Sequence, residues 1–398
     1  EGIELSMDHV LRGEPGSKRI LKDRKGQRIR DLDFFDAPDF GDDIELSIDL
    51  RLQFLAYREL KAAVEHSGAR SGSVVVLDVQ TGDVLALVNQ PSYNPNRVGE
   101  LDFDSMRNRA ITDLYEPGST VKPFAILAAL ETGNYRPDTV IDTSPGYLLV
   151  GRKMVEDPLN RGRITLSEIL ARSSQVGIAK IALGLEGSHL HDVFHRSGLA
   201  AIPATGLPGE VSGVLTDREI GSPIVRASLA YGYGVTASAM QLAQSYLTIA
   251  SGGVRRQVNL VRGLPHTSDE RVFEETDVES LIRMMEGVVT TKGTAPRARV
   301  PGFDVAGKTG TSRKIKSGKY DDTRHVALFA GMAPSHDPKA VVVVIINEPL
   351  GQAIGGGDVA APVFSRILAR SLRILGVAPG KFIGNRDEGS DTEFGRAA

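Results

Sequence analysis

The sequence predicts an α+β fold, a five-stranded, mostly antiparallel sheet flanked by helices, with a helical subdomain set between its strands. Short β-branched runs at 73–78 and 84–88 are joined by a tight turn containing Gly82. Strand-like runs return at 303–312, 326–333 and 340–347, the last two joined by Pro334-Ser335-His336-Asp337-Pro338. Between these groups, from Ser119 to about Glu286, helical periodicity dominates. Two hairpin-like pairs and a lone strand favour an antiparallel arrangement over repeated βαβ units. The first pair must then meet the late strands across the whole helical region.

Taken in order, residues 1–45 are polar and charge-dense and offer little that could form an independent core; we read them as an extended arm or the remnant of a larger N-terminal module. Asp49 is placed to cap a helix over 50–66, where Leu52, Leu55, Ala56, Leu60, Ala63 and Val64 recur at helical spacing until Gly68. Glu116-Pro117-Gly118 reads as a turn, and the apolar run 124–130 continues as a helix that stops at Thr132-Gly133. Pro123 falls in its first turn, where no intrahelical N–H partner is needed. A last helix is expected between 359 and 375, and 381–398 reads as a disordered tail without apolar periodicity. The main unit is therefore 46–380.

The chain has 398 residues, a formal charge of -3 and a pI near 6.3, so no electrostatic case exists for nucleic acid as a partner. It has no cysteine, which removes disulfides and thiolate metal sites. Its longest apolar runs, 124–130 and 340–346, are far shorter than the ~20 residues that span a bilayer. The first residue is Glu1, not methionine, which leads us to expect a signal, anchor or further domain upstream.

Ser119 and Lys122 lie three apart at a turn-to-helix junction, so a hydroxyl and an amine share one face. One Ser-x-x-Lys is a weak signal, and Ser119 as a plain helix cap is the competing reading. Two further features strengthen it: Ser173-Ser174-Gln175 between two helical stretches, and Lys308-Thr309-Gly310-Thr311 in a strand-like segment. In order, S-x-x-K, S-x-(N/Q) and K-T-G match the signature of serine acyl-transferases.

With these motifs the chain resembles the transpeptidase domain of a class B penicillin-binding protein of the division type called penicillin-binding protein 3. The likeness extends to LSIDLRLQFLAYREL (46–60), NQPSYNPN (89–96), YEPGSTVKP (115–123), PDTVIDTSPG (137–146), LAYGYGVTASAMQLAQSY (229–246), GTAPRARVPGFDVAGKTGTS (293–312) and VAAPVF (359–364). It implies a penicillin-binding protein/serine β-lactamase-like fold, with 1–45 as the remnant of an N-terminal pedestal. Carried over by motif, the resemblance makes Ser119 the nucleophile, Lys122 its base, Ser173 a proton relay and Lys308 a neighbouring cation. Gln175 would bind substrate backbone and the Thr309 hydroxyl the substrate carboxylate. Gly310 would let the peptide approach, and the backbone N–H groups of Ser119 and Thr311 would form the oxyanion hole. The implied substrates are peptidoglycan stem peptides, D-Ala-D-Ala donor and amine acceptor, with β-lactam antibiotics acylating the same serine and no cofactor. An inner-membrane anchor outside this chain, a periplasmic catalytic domain, and a glycosyltransferase and division proteins as partners are implied likewise.

Alternating side chains along a strand would set Lys308 opposite Thr309 and Thr311. A base working near neutrality requires Lys122 to titrate about three units below the ordinary ~10.4, through partial burial and a neighbouring cation, for which Lys308 is the natural choice. Two departures from the family pattern stand out. Gln175 replaces the usual Asn, and Ile354-Gly355-Gly356-Gly357 lacks the aromatic residues of relatives, which suggests a specialised paralogue.

Four other readings compete with this one. Gly302 to Thr309, GFDVAGKT, formally fits a P-loop, which needs a helix after its lysine. His191 and His195 could share a helical face as metal ligands, without an evident third. A non-turnover β-lactam sensor or division scaffold keeps the fold without the reaction, and a serine β-lactamase needs a second base to activate water.

Overall fold

The computed structural model describes residues 2–97, 99, 102–217, 220–263, 269–316 and 318–380; the expected tail at 381–398 lies outside the described residues. The central sheet has five strands, here β1 Ser71–Asp78, β2 Val84–Gln90, β3 Ala306–Lys316, β4 Lys319–Ala333 and β5 Ala340–Asn347. Their spatial order is β3-β4-β5-β1-β2 and every pairing is antiparallel. The expected meeting of early and late strands is the β5–β1 pairing, with Asn347 opposite Ser71 and Ala340 opposite Asp78. The lone strand begins later than expected, at Ala306, because Val300 and Phe303 bridge across a turn first. It forms a hairpin with β4, paired from Ala306↔Met332 to Lys316↔Lys319, with the register broken between Arg313 (opposite His325) and Lys314 (opposite Asp321).

Both faces of the sheet are covered, which is why its strands read as unbroken β-branched runs. On one face Val74, Val76, Val342 and Val344 meet α1 (Leu50–Ser67) and the C-terminal helix Ala361–Ile374 in one core. On the other, Val75, Leu77, Val341 and Val343 join the core built by the helical region. Asp49 caps α1 by accepting from the Arg51 and Leu52 N–H groups, and Gly68 ends it in the left-handed conformation. Gln53 shields the outer edge of β2, its amide donating to Leu87 O and accepting from Leu87 N, both at 2.8 Å.

At the centre of the second core lies α2, Lys122–Glu131, whose residues Lys122 to Leu130 are all buried. A helix apolar on every side belongs inside. Within the helical region the structure adds short two-stranded pairs that periodicity did not indicate, Val140–Asp142 with Arg163–Thr165 and Tyr147–Val150 with Lys153–Glu156. Residues 1–45 likewise hold a hairpin, Ser17–Lys22 with Arg28–Asp36, rather than a wholly extended arm.

Candidate active site

Ser119 stands in a 3₁₀ turn, Gly118–Val121, that runs directly into α2. The Tyr246 hydroxyl, fully buried on the helix Ala239–Ala250, donates to Thr120 O at 2.8 Å and braces this turn. Lys122 is 0% exposed, yet its amine is not hydrogen-bonded to Ser119 among the described residues. It donates to the Ser173 carbonyl at 2.5 Å and to the Ser173 hydroxyl at 3.1 Å.

Ser173 occupies the left-handed region with φ 58°. It ends the helix Leu166–Ala171, with Ser173 N–H on Leu170 O and Ser174 N–H on Ile169 O, a position where glycine is usual. A serine there costs about 1–2 kcal/mol; strain of this kind clusters where side-chain chemistry requires it. Ser174 then caps the next helix, Gln175–Leu183, accepting from Gly177 N–H and donating to Asp157 at 2.5 Å. The Asp157 carboxylate also accepts from Gln175 N–H at 2.6 Å, so it fixes the turn that aims Ser173. Gln175 thus opens a helix, half-buried, and its side-chain amide makes no hydrogen bond among the described residues.

Lys308, also 0% exposed, donates to the Ser173 hydroxyl at 2.9 Å. Strict alternation does not separate it from Thr309. Its long stem carries the amine to within 3.2 Å of Thr309 O and 3.4 Å of Thr309 Oγ1. Thr309 in turn shares a 2.9 Å hydroxyl contact with Thr294. Gly310 is needed for a different close approach than the one expected. A Cβ there would lie 2.8 Å from Pro117 O and from Thr120 Cγ2, so the absent side chain admits the turn that carries Ser119. A Cβ at Gly118 would lie 3.1 Å from Thr311 O, so this turn also packs on the β3 edge beside Thr311. The Thr311 hydroxyl accepts from Gly356 N–H at 3.1 Å, and Gly356 itself packs against Gly310 O and Leu328 O where any Cβ would collide. The glycine run 355–357 therefore lies directly on β3 and β4 through Gly356.

Burial is the main cause that pushes Lys122 down to about 7; Arg161 adds to the shift and Asp157 opposes it. Burial, and then Lys122, push Lys308 well below the ordinary lysine range. The expectation of partial burial with Lys308 as the neighbouring cation is corrected here: burial is complete and is the largest cause, and the cation that lowers the Lys122 pKa is Arg161. Two buried amines on one hydroxyl repel each other, which disfavours both being protonated.

The P-loop reading fails, because Lys308 lies inside a strand where that motif requires a helix. His191 and His195 sit on the helix Gly187–Arg196, and no group of three or more His, Asp or Glu able to hold a metal occurs among the described residues. Sequence reasoning assigned no role to several neighbours. Asp157 belongs to no motif. Thr294 and Tyr246 fall within the blocks of family likeness, which could have flagged them. Glu116 accepts from Gly234 N–H at 3.1 Å and from the Tyr320 hydroxyl at 3.2 Å, and burial raises its pKa. Tyr320 stacks edge-on with Tyr233, which stacks with Tyr231, an aromatic ladder tied through Tyr320 to Glu116 before the Ser119 turn.

Residues 72–369 match the model of the penicillin-binding protein transpeptidase domain. The chain is 40% identical over 399 residues to the peptidoglycan D,D-transpeptidase FtsI of Escherichia coli, covering 98% of this chain and 67% of that protein. It is 39% identical over 383 residues to the probable peptidoglycan D,D-transpeptidase PenA of Neisseria meningitidis, covering 96% and 66%. It thus spans about two thirds of the length of these relatives. The apo transpeptidase domain of Burkholderia pseudomallei penicillin-binding protein 3 superposes with a TM-score of 0.77 at 37% identity, over 84% of this chain and 98% of that one. The chain belongs to the penicillin-binding protein transpeptidase domain family.

Proposed function

We propose that this chain is the catalytic region of a division-type peptidoglycan D,D-transpeptidase, which cross-links stem peptides in septal wall synthesis and is acylated by β-lactams. The observation that carries this reading is a pair of buried lysines converging on one serine hydroxyl, beside a turn that presents a second serine. Lys122, with a pKa of about 7, takes the proton from Ser119 Oγ. That oxygen bonds to the penultimate D-Ala carbonyl carbon, and the N–H groups of Ser119 and Thr311 hold the oxyanion. Collapse breaks the peptide C–N bond, and the proton passes through the Ser173 hydroxyl to the departing D-Ala amine. An acceptor amine then attacks the ester, loses its proton by the reverse route and frees Ser119. Thr309 and Lys308 receive the terminal carboxylate, and the Gln175 amide holds the substrate backbone.

In this reading 46–380 is the transpeptidase unit and 1–45 the remnant of a pedestal whose continuation meets glycosyltransferase and division partners. No helix among the described residues is long and apolar enough to cross a membrane. The proposed inner-membrane anchor therefore belongs outside this chain, with the catalytic region in the periplasm. Gln175 and the glycines at 355–357 support a specialised paralogue of the main division enzyme. The test is release of D-Ala from a stem pentapeptide with and without an amine acceptor. Cross-linked product that requires both the acceptor and Ser119 supports transpeptidation; D-Ala release without any amide product at saturating acceptor contradicts it.

A further inference from the structure

A polar cavity of about 260 Å³ lies where the ends of β1 and β5 meet the segment leading into the nucleophile turn, at Ser71, Asn347 and Tyr115. We propose that it is an anion-binding site, for a small oxyanion or a peptide carboxylate. Four cationic side chains line it, Arg70, Arg107, Arg109 and Lys314, against two carboxylates, Asp104 and Asp113. Each carboxylate is already engaged: Asp104 with Arg109 Nη2 at 2.7 Å and Asp113 with Arg107 at 2.8 Å. Behind them Glu348 is held by Lys314 at 2.6 Å.

Arg109 is the deciding residue. It is 4% exposed, and its Nη1 has no hydrogen-bond partner among the described residues. A buried guanidinium N–H without an acceptor is costly, and a cavity that it lines beside three other cations favours a negatively charged acceptor. Arg70, with its side chain 64% exposed, reaches Glu348 only at 3.8 Å and is free to close on an incoming anion. The guanidinium fork suits a carboxylate or a phosphate.

The site is not the catalytic cleft. Lys314 is six residues along β3 from Lys308, about 20 Å at ~3.3 Å per residue, and Tyr115 precedes Ser119 by one turn of chain. A bound anion would tie the segment before the nucleophile to the far end of the strand that carries Lys308.

The experiment is a calorimetric titration of the folded protein with inorganic phosphate, and separately with acetyl-glycine, at constant ionic strength balanced with chloride. Saturable one-to-one binding, weakened about fivefold or more in Arg109→Lys and to a smaller extent in the surface variant Arg70→Gln, supports the site. Saturation by phosphate identifies an oxyanion site, and saturation by acetyl-glycine alone a carboxylate site. Arg70→Gln keeps the test decisive should Arg109→Lys fold poorly. Binding of neither probe, or equal binding by the wild type and both variants, overturns the proposal.

Discussion

Lys122 and Lys308, from a helix and a strand far apart in sequence, meet on one atom: Ser173 Oγ is 3.1 Å from the first amine and 2.9 Å from the second. Each amine is buried, so each is disfavoured as a cation. The shared hydroxyl is the natural path for a proton between them. The position of Ser173 therefore decides whether the lysines act as a unit.

Ser173→Ala and Ser173→Gly separate chemistry from strain. Both remove the hydroxyl and should slow acylation by a β-lactam about 10²–10⁴-fold. With φ 58° at this position, glycine relieves a conformation that alanine does not, so Ser173→Gly should be more stable than Ser173→Ala by about 1 kcal/mol. Stopped-flow acylation and urea unfolding of the two variants check both halves.

The pH dependence of acylation has a defined sign. Lys122 must be neutral to accept a proton, so the rate should rise with pH and level off above about 7, far below the ordinary lysine value. The Asp157 charge raises the Lys122 pKa and Arg161 lowers it. Asp157→Asn should move the midpoint of the profile to lower pH, and Arg161→Met should move it higher. Acylation rates between pH 5 and 9 in the three proteins measure this.

Gly310→Ala should impair the site without removing any reacting group. Its Cβ would sit 2.8 Å from Pro117 O, a backbone atom that can yield only if the nucleophile turn shifts. We expect a loss of about 1–3 kcal/mol of stability and a fall in acylation larger than the change in β-lactam binding. Thermal unfolding and the split between the acylation step and prior binding check it.

A separate titration tests the frame. Glu348, with φ 57°, accepts two hydrogen bonds from Arg324 at 2.8 Å each and one from Lys314 at 2.6 Å. The Arg324 hydrogen bonds are the largest cause holding its carboxyl at about 2, below the ordinary 4.5, with burial opposing and Lys314 assisting. A depressed carboxylate stabilises the fold above its unfolded pKa and loses that contribution as pH falls through the folded value. The stability difference between wild type and Glu348→Gln should therefore be constant above about pH 5 and shrink between 4.5 and 2. Chemical unfolding across that range measures it.

The sheet was legible because both of its faces are buried: 73–78 and 340–347 carry β-branched residues that few other environments favour. The order of the strands was not, since antiparallel pairing of β5 with β1 depends on packing across the helical region. Ser119, Lys122, Ser173 and Lys308 could be named from spacing and family likeness, yet neither says which amine touches which hydroxyl. Side-chain length defeated simple alternation at Lys308, whose amine returns to Thr309. Asp157 left no local signal because it follows the hairpin 147–156 and accepts N–H groups from a helix that begins eighteen residues later, at Gln175. Gly310 was legible as a glycine of close approach; what approaches it, the Pro117 carbonyl, is set by a tertiary contact between segments distant in sequence.

The central claim is that Ser119 becomes covalently acylated through the Lys122–Ser173–Lys308 set. Intact mass after incubation with benzylpenicillin tests it most directly. The account predicts an adduct of one whole penicillin on the wild type that persists after free drug is removed, and no adduct on Ser119→Ala. An adduct that survives in Ser119→Ala, or a wild type that stays unmodified, would contradict it; rapid return to the unmodified mass would identify a β-lactamase instead.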